Sequence, residues 1–194
     1  MSVEPRQAAS LILLRDSGDG AEVLLVQRNP EQRFMGGAWV FPGGAVHAAE
    51  DADQAATAVR ELEEEAGIAL PADTELVPYS RWITPDGEGV TIRFDTWFYA
   101  ARAPEGVVAR PDGGECVGAR WLTPAGALAL HADDRLVLVF PTIKHLERLA
   151  ETDSVDETLA AARARTVEPV LPKVVVRNGV PQVLMPGEPG YDDD

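Results

Sequence analysis

The chain has 194 residues, 45% hydrophobic and 25% charged, with a formal net charge of −15. That length can bury one domain with some extension, while the acidity excludes the basic footprint of a nucleic-acid binder and would repel anionic membranes. A single cysteine, Cys116, excludes an intrachain disulfide framework and cannot alone build a thiolate metal site; its expected state is a partly buried small residue. No apolar run reaches membrane-spanning length, and Met1 to Gln7 show no signal-peptide pattern, so a cytoplasmic location is the default expectation.

Ala8 to Leu14 is an apolar run ending at Asp16-Ser17-Gly18-Asp19-Gly20, which predicts a strand and a turn. Glu22 to Gln27 gives a second strand, Asn29 to Gly37 a loop, and Trp39-Val40-Phe41 a brief strand running into a Pro42-Gly43-Gly44 turn. Asp51 followed by Gln54 reads as a capping box, so a helix is expected from near Ala52 to Gly67. Leu76 to Ile83, Val90 to Ala101 and Glu115 to Leu122 are strand candidates. The middle one is rich in β-branched and aromatic residues, and Trp121 is expected inside. Thr123-Pro124 opens a helix, Pro141 to Glu151 and Ser154 to Arg165 read as two more, and Lys173 to Val176 with Gln182 to Met185 form a hairpin around Asn178-Gly179. The expected architecture is an α/β/α sandwich with a mixed sheet between helices. One domain spans 1–168, and a Pro/Gly-rich extension, 169–194, folds as a hairpin packed on the same domain. Asp192-Asp193-Asp194 is read as a solvated terminus.

The chemistry concentrates in Arg60-Glu61-Leu62-Glu63-Glu64-Glu65-Ala66-Gly67-Ile68. On a helix Glu61, Glu64 and Glu65 share one face, and Ala55, Ala58, Val59, Leu62 and Ala66 form a separate apolar stripe. A run of glutamates is most often a solvated face. Three like charges on one face also suit a divalent cation, Mg²⁺ or Mn²⁺. His47, in the loop after Gly44, is read as a solvated residue.

With Phe41-Pro42-Gly43-Gly44 upstream, this stretch resembles the Nudix box, G-x5-E-x7-R-E-U-x-E-E-x-G-U with U aliphatic. Gly44 and Glu50 match its first half, and Arg60, Glu61, Leu62, Glu64, Glu65, Gly67 and Ile68 its second. Nine residues separate Glu50 from Arg60, two more than in the family pattern, which lengthens the loop before the helix. The resemblance implies a Nudix-type sandwich and hydrolysis of a nucleoside diphosphate linked to another group. It implies a metal held by Gly44, Glu61, Glu64, Glu65 and Glu115, and catalytic roles for Arg60, Glu61 and Glu64. Arg60 would orient a glutamate, and the general base would be Glu61 or a glutamate from another loop such as Glu115.

The segment from Leu24 to Gly44 resembles the one that precedes the box in coenzyme A diphosphatases: Leu24, Leu25, Arg28, Arg33, Gly37 and Phe41 to Gly44 fit, while Val26 and Asn29 depart from it. Phe94-Asp95-Thr96-Trp97-Phe98 after Thr84-Pro85 is similar to mammalian peroxisomal Nudix proteins that act on coenzyme A. Arg28 and Arg33 are the expected contacts to a small-molecule diphosphate substrate. Rival readings are hydrolysis of ADP-ribose, nucleotide sugars or other nucleotides, a non-catalytic binding or regulatory module on the same fold, and an isoprenoid diphosphate isomerase. The module would be expected to lose the box glutamates, and the isomerase would want a cysteine in an early loop. No nucleic-acid or membrane partner is expected, and a homodimer stays open.

Overall fold

A computed structural model of the chain describes residues 3–192 apart from 48, 50, 88, 89, 178 and 179. Glu50, one of the box positions, and the Asn178-Gly179 turn lie outside the described residues. Eight strands form one mixed sheet: β1 (Arg6–Ser17), β2 (Gly20–Arg28), β3 (Trp39–Val40), β4 (Gly43–Ala45), β5 (Val77–Ile83), β6 (Phe94–Arg102), β7 (Cys116–Leu122) and β8 (Pro169–Val170). Their order is β3-β2-β1-β6-β5-β8, with β4 paired to β1 and β7 to β2. β1 runs parallel to β6 and β5 parallel to β8, and the other pairings are antiparallel.

β1 is the pivot. Its Leu14 to Ser17 end pairs with β2, while Ala8, Ala9 and Ser10 pair with Ala45, Gly44 and Gly43 of β4. Gly43-Gly44 therefore forms part of a short strand instead of the expected turn. A Cβ at Gly43 would run into Ser10 and the Ala9 carbonyl, so only glycine lets the two backbones come this close.

Alternation along β1 feeds two cores. Leu11 and Leu13 face α1 (Gln54–Ala66), where Ala58, Leu62 and Ala66 complete a buried cluster with Leu24, Val26 and Cys116. Ile12 and Leu14 face the other side, which is covered by α2 (Pro124–Ala132), α3 (Phe140–Leu149) and α4 (Val155–Arg163). Helices on both faces of a mixed sheet give the expected α/β/α sandwich. None of the described helices is long and apolar enough to cross a membrane.

The caps explain the helix bounds. Thr123 Oγ1 accepts from Gly126 N, as the Thr-Pro pair predicts, and Ser154 Oγ caps α4. α1 starts at Gln54, later than expected, because Asp53 and not Asp51 is its cap: Asp53 Oδ1 accepts from Ala56 N at 2.8 Å. Gly67, at φ 64°, ends it in the left-handed region. The two-residue strand β8 was not anticipated. Beyond it, β9 (Lys173–Arg177) and β10 (Val180–Leu184) form a separate two-stranded sheet, and Met185 packs against the α2–α4 core.

His145 of α3 is a buried polar residue that the pattern of Ile143, Leu146 and Leu149 did not reveal. Its Nδ1 donates to the Pro141 carbonyl at 2.5 Å, which leaves Nε2 to accept from Ser80 Oγ at 2.6 Å. Phe41, Tyr79, Trp82 and Phe98 surround the ring. Burial disfavours the imidazolium and pushes its pKa down to about 4, with a smaller contribution from Arg148. An unfolded histidine titrates at about 6.5, so between these values the unfolded chain binds the extra proton and stability falls as pH drops. Thermal unfolding from pH 7 to 4.5 should show a shallower decline for His145→Gln than for the parent chain; parallel curves would contradict the buried neutral assignment.

Candidate active site

The site is assembled where β4 lies between β1 and helix α1. Glu61 and Glu65 project from α1 toward the sheet and are buried, at 7% and 3% exposure, so the acidic face and the apolar stripe overlap. The Glu61 carboxylate lies against Gly44, where any Cβ would collide with it. Glu65 Oε2 accepts from Gly43 N at 3.0 Å, and its carboxylate also takes the Cys116 S–H. The Glu64 side chain is 58% exposed.

Arg60 holds this cluster in register. Its Nε and Nη2 grip Asp51 bidentately at 2.9 and 3.1 Å, its Nη1 donates to Glu64 Oε2 at 2.7 Å, and its Nη2 lies 2.9 Å from Glu61 Oε1 and 3.3 Å from the Ala45 carbonyl. Asp51 also accepts from His47 N and Thr57 Oγ1. It is thus the counter-ion of Arg60, and these bonds, Arg60 first, hold its carboxyl far below the usual carboxylate range.

Electrostatics divide the two buried glutamates from their neighbours. Desolvation raises the pKa of Glu61; Arg60 opposes this, and Glu64 and Glu115 add to it. Desolvation raises Glu65 to about 7, opposed by the Gly43 N–H and reinforced by Glu61. Burial and Glu65 together push the Cys116 thiol up. Cys116 is fully buried, more deeply than expected.

The cluster opens onto a cleft of about 400 Å³. Ala8, Ser10, Thr96 and Phe98 supply much of its floor, and Arg28, Gly44, Arg60, Glu61, Glu64 and Glu115 line it. Of the residues expected at the site, six meet here. Glu65 sits behind the cleft wall at β4, and Arg33 is exposed outside it. Arg28 is anchored by Nη2 to Gln32 Oε1 at 2.6 Å and by Nε to the Phe34 carbonyl at 3.3 Å. Glu115 is placed by Asp112, whose carboxylate accepts from the backbone N–H groups of Gly114, Glu115 and Cys116. Asp51 and Asp112 were missed by the motif reading. Asp112-Gly113-Gly114 is a recognisable turn signal, whereas an acid before a helix is equally a cap or an ion-pair partner.

The NUDIX domain profile matches residues 4–139, and the chain belongs to this family. A Nudix hydrolase from Alicyclobacillus acidocaldarius superposes with a TM-score of 0.72 at 25% identity, covering 86% of this chain and 98% of that one. The human acyl-coenzyme A diphosphatase NUDT19 is 29% identical over 119 residues, which are 60% of this chain and 32% of that protein. An octanoyltransferase from Myxococcus xanthus is 42% identical over 67 residues, 34% of this chain and 17% of that protein. The chain therefore spans about a third and a sixth of the lengths of these two relatives.

Arg60→Lys keeps the charge and loses the fork that holds Asp51. It should lower both the melting temperature and turnover, and Asp51→Asn should do the same; wild-type values for both variants would remove Arg60 from its orienting role.

Proposed function

We propose that this chain is a divalent-metal-dependent pyrophosphohydrolase that cleaves coenzyme A or an acyl-coenzyme A into 3′,5′-ADP and a 4′-phosphopantetheine product. The observation that carries the reading is the glutamate face of α1, locked by Arg60 beside Gly44 and open to the cleft that Arg28 lines. The resemblance of Leu24–Gly44 to coenzyme A diphosphatases and the partial similarity to the human acyl-coenzyme A diphosphatase support the substrate class.

The donor set fits Mg²⁺ or Mn²⁺: hard carboxylate oxygens on Glu61, Glu64, Glu65 and Glu115, and the Gly44 carbonyl. Among the described residues no three acidic, histidine or cysteine side chains already converge as a cage. Glu61 and Glu64 instead share Arg60, and Asp51 can keep that guanidinium when they turn to a cation. Bound there, the metal would neutralise phosphoryl oxygens and acidify a water.

The remaining work falls to protein groups. Glu61, or Glu115 from the opposite loop, takes the proton of the attacking water as a phosphorus–oxygen bond forms and the bridging phosphoanhydride bond breaks. Arg28 meets substrate phosphate within the cleft, and Arg33 meets anionic groups outside it. Arg60 keeps Glu61 and Glu64 in orientation, with Asp51 behind it.

Purified protein with Mg²⁺ and a panel of diphosphate compounds, read by product mass, tests this. Coenzyme A should be cleaved and its dephospho form rejected, because an arginine without its anion loses a charge-assisted contact. Glu64→Gln should reduce turnover about 100-fold, or about 2.7 kcal/mol of transition-state stabilisation, and Arg28→Ala should raise KM more than it lowers kcat. Inert coenzyme A beside efficient hydrolysis of ADP-ribose or a nucleotide sugar would overturn the substrate and leave the hydrolase.

A further inference from the structure

The cleft has an apolar wall that the diphosphate chemistry does not use. Phe34 and Met35 line it while remaining 43% and 39% exposed. Phe34 touches Phe94 of β6, with ring centroids 6.0 Å apart and planes at 56°. Large apolar side chains left open to solvent in a cleft commonly await a ligand.

The loop is built to present them. Met35 has φ 54°, a left-handed backbone that non-glycine residues rarely adopt. Ala38 N donates to the Met35 carbonyl, Gly37 N to the Arg28 carbonyl, and Asn29 Nδ2 to the Gly114 carbonyl, so three contacts fix the turn. Strain held in a pinned loop at a cleft points to a use for the side chains it displays.

We propose that Phe34, backed by Phe94, is the stacking face for the nucleobase of the diphosphate substrate. The inference rests on the reading of the domain as a hydrolase of nucleoside diphosphate derivatives. Two observations select a base over an acyl chain. The first is reach. Gly44 pairs with Ala9, and Phe94 with Arg6 on the other side of β1. Two strand spacings and three residues along β1 put Gly44 and Phe94 roughly 14 Å apart between Cα atoms. An extended nucleoside diphosphate covers that span with its base included, whereas an acyl chain lies beyond the whole pantetheine arm. The second is the neighbour: Arg28 lines the same cleft and donates to the Phe34 backbone carbonyl, so the loop that carries the ring also holds a cation for the ribose phosphate side of a nucleotide. Among the described ring contacts Phe34 meets Phe94 alone, so a base stacks on Phe34 and is not sandwiched.

Calorimetric titration of the full chain with adenosine 5′-monophosphate and with ribose 5-phosphate tests the proposal without turnover. The nucleotide should bind about 10-fold more tightly or better. Phe34→Leu should remove most of that gap and Phe34→Trp should keep it, both with parental melting temperatures. An unchanged gap in Phe34→Leu, or equal or undetectable binding of both compounds to the parent chain, overturns the proposal. So does a Phe34→Leu effect on KM that grows with acyl length across a coenzyme A thioester series, which would give the wall to the acyl chain. If coenzyme A is inert and ADP-ribose is cleaved, the same loss on ADP-ribose in Phe34→Leu separates the stacking face from the choice of substrate.

Discussion

The burial of two carboxylates beneath a glycine strand is the constraint on which the rest of this domain depends. Glu61 and Glu65 sit at a helix–sheet contact where aliphatic residues would pack more favourably. Each is tolerated because specific donors face it: Arg60 for Glu61, and the Gly43 N–H and Cys116 S–H for Glu65. The raised pKa of both carboxyls records that these donors compensate only in part. Burial thus disfavours the charged form of both carboxyls, and a cation bound beside them, as proposed, would restore it.

The surrounding architecture follows from that constraint. β4 must be free of side-chain bulk on the α1 side, or Glu61 could not lie against Gly44, and on the β1 side, or Gly43 could not pair beside Ser10. A strand so short and bare leaves room over β1, β4 and β6, and the cleft occupies it. Arg60 cannot serve two carboxylates on its own helix without an external anchor, and Asp51 provides it from the loop that precedes the helix. Asp112 performs the corresponding task for Glu115 with three backbone bonds. The groups aimed at the cleft are therefore carried by rigid elements or tied loops, as positioning at a reaction centre requires.

Much of this could be read in the residues. The glutamate spacing, the Gly67 stop, the Thr123-Pro124 start and the sandwich class all depend on local periodicity and capping, which are written in consecutive residues. The depth of Glu61 and Glu65 could not be read, because helical spacing says which residues share a face and not what that face meets. An Asp three residues before a Gln satisfies the capping pattern locally, but the partner of Asp51 nine residues on prevails through a bidentate, shielded contact. Gly43-Gly44 reads locally as a turn because the strand that pairs with it, at Ala9 and Ser10, is more than 30 residues away. His145 was hidden by an apolar pattern that it joins through its ring.

The most direct measurement is thermal unfolding of the parent chain and of Glu65→Gln, each in chelator and in millimolar Mg²⁺. If the buried carboxylates are held for a cation, Mg²⁺ should raise the melting temperature of the parent, since a ligand bound to the folded state alone stabilises it. Glu65→Gln should melt higher than the parent in chelator at pH 8, because it removes a desolvated charge, and should lose the Mg²⁺ response. A variant that melts lower than the parent in chelator, or that keeps the full Mg²⁺ shift, would contradict the account.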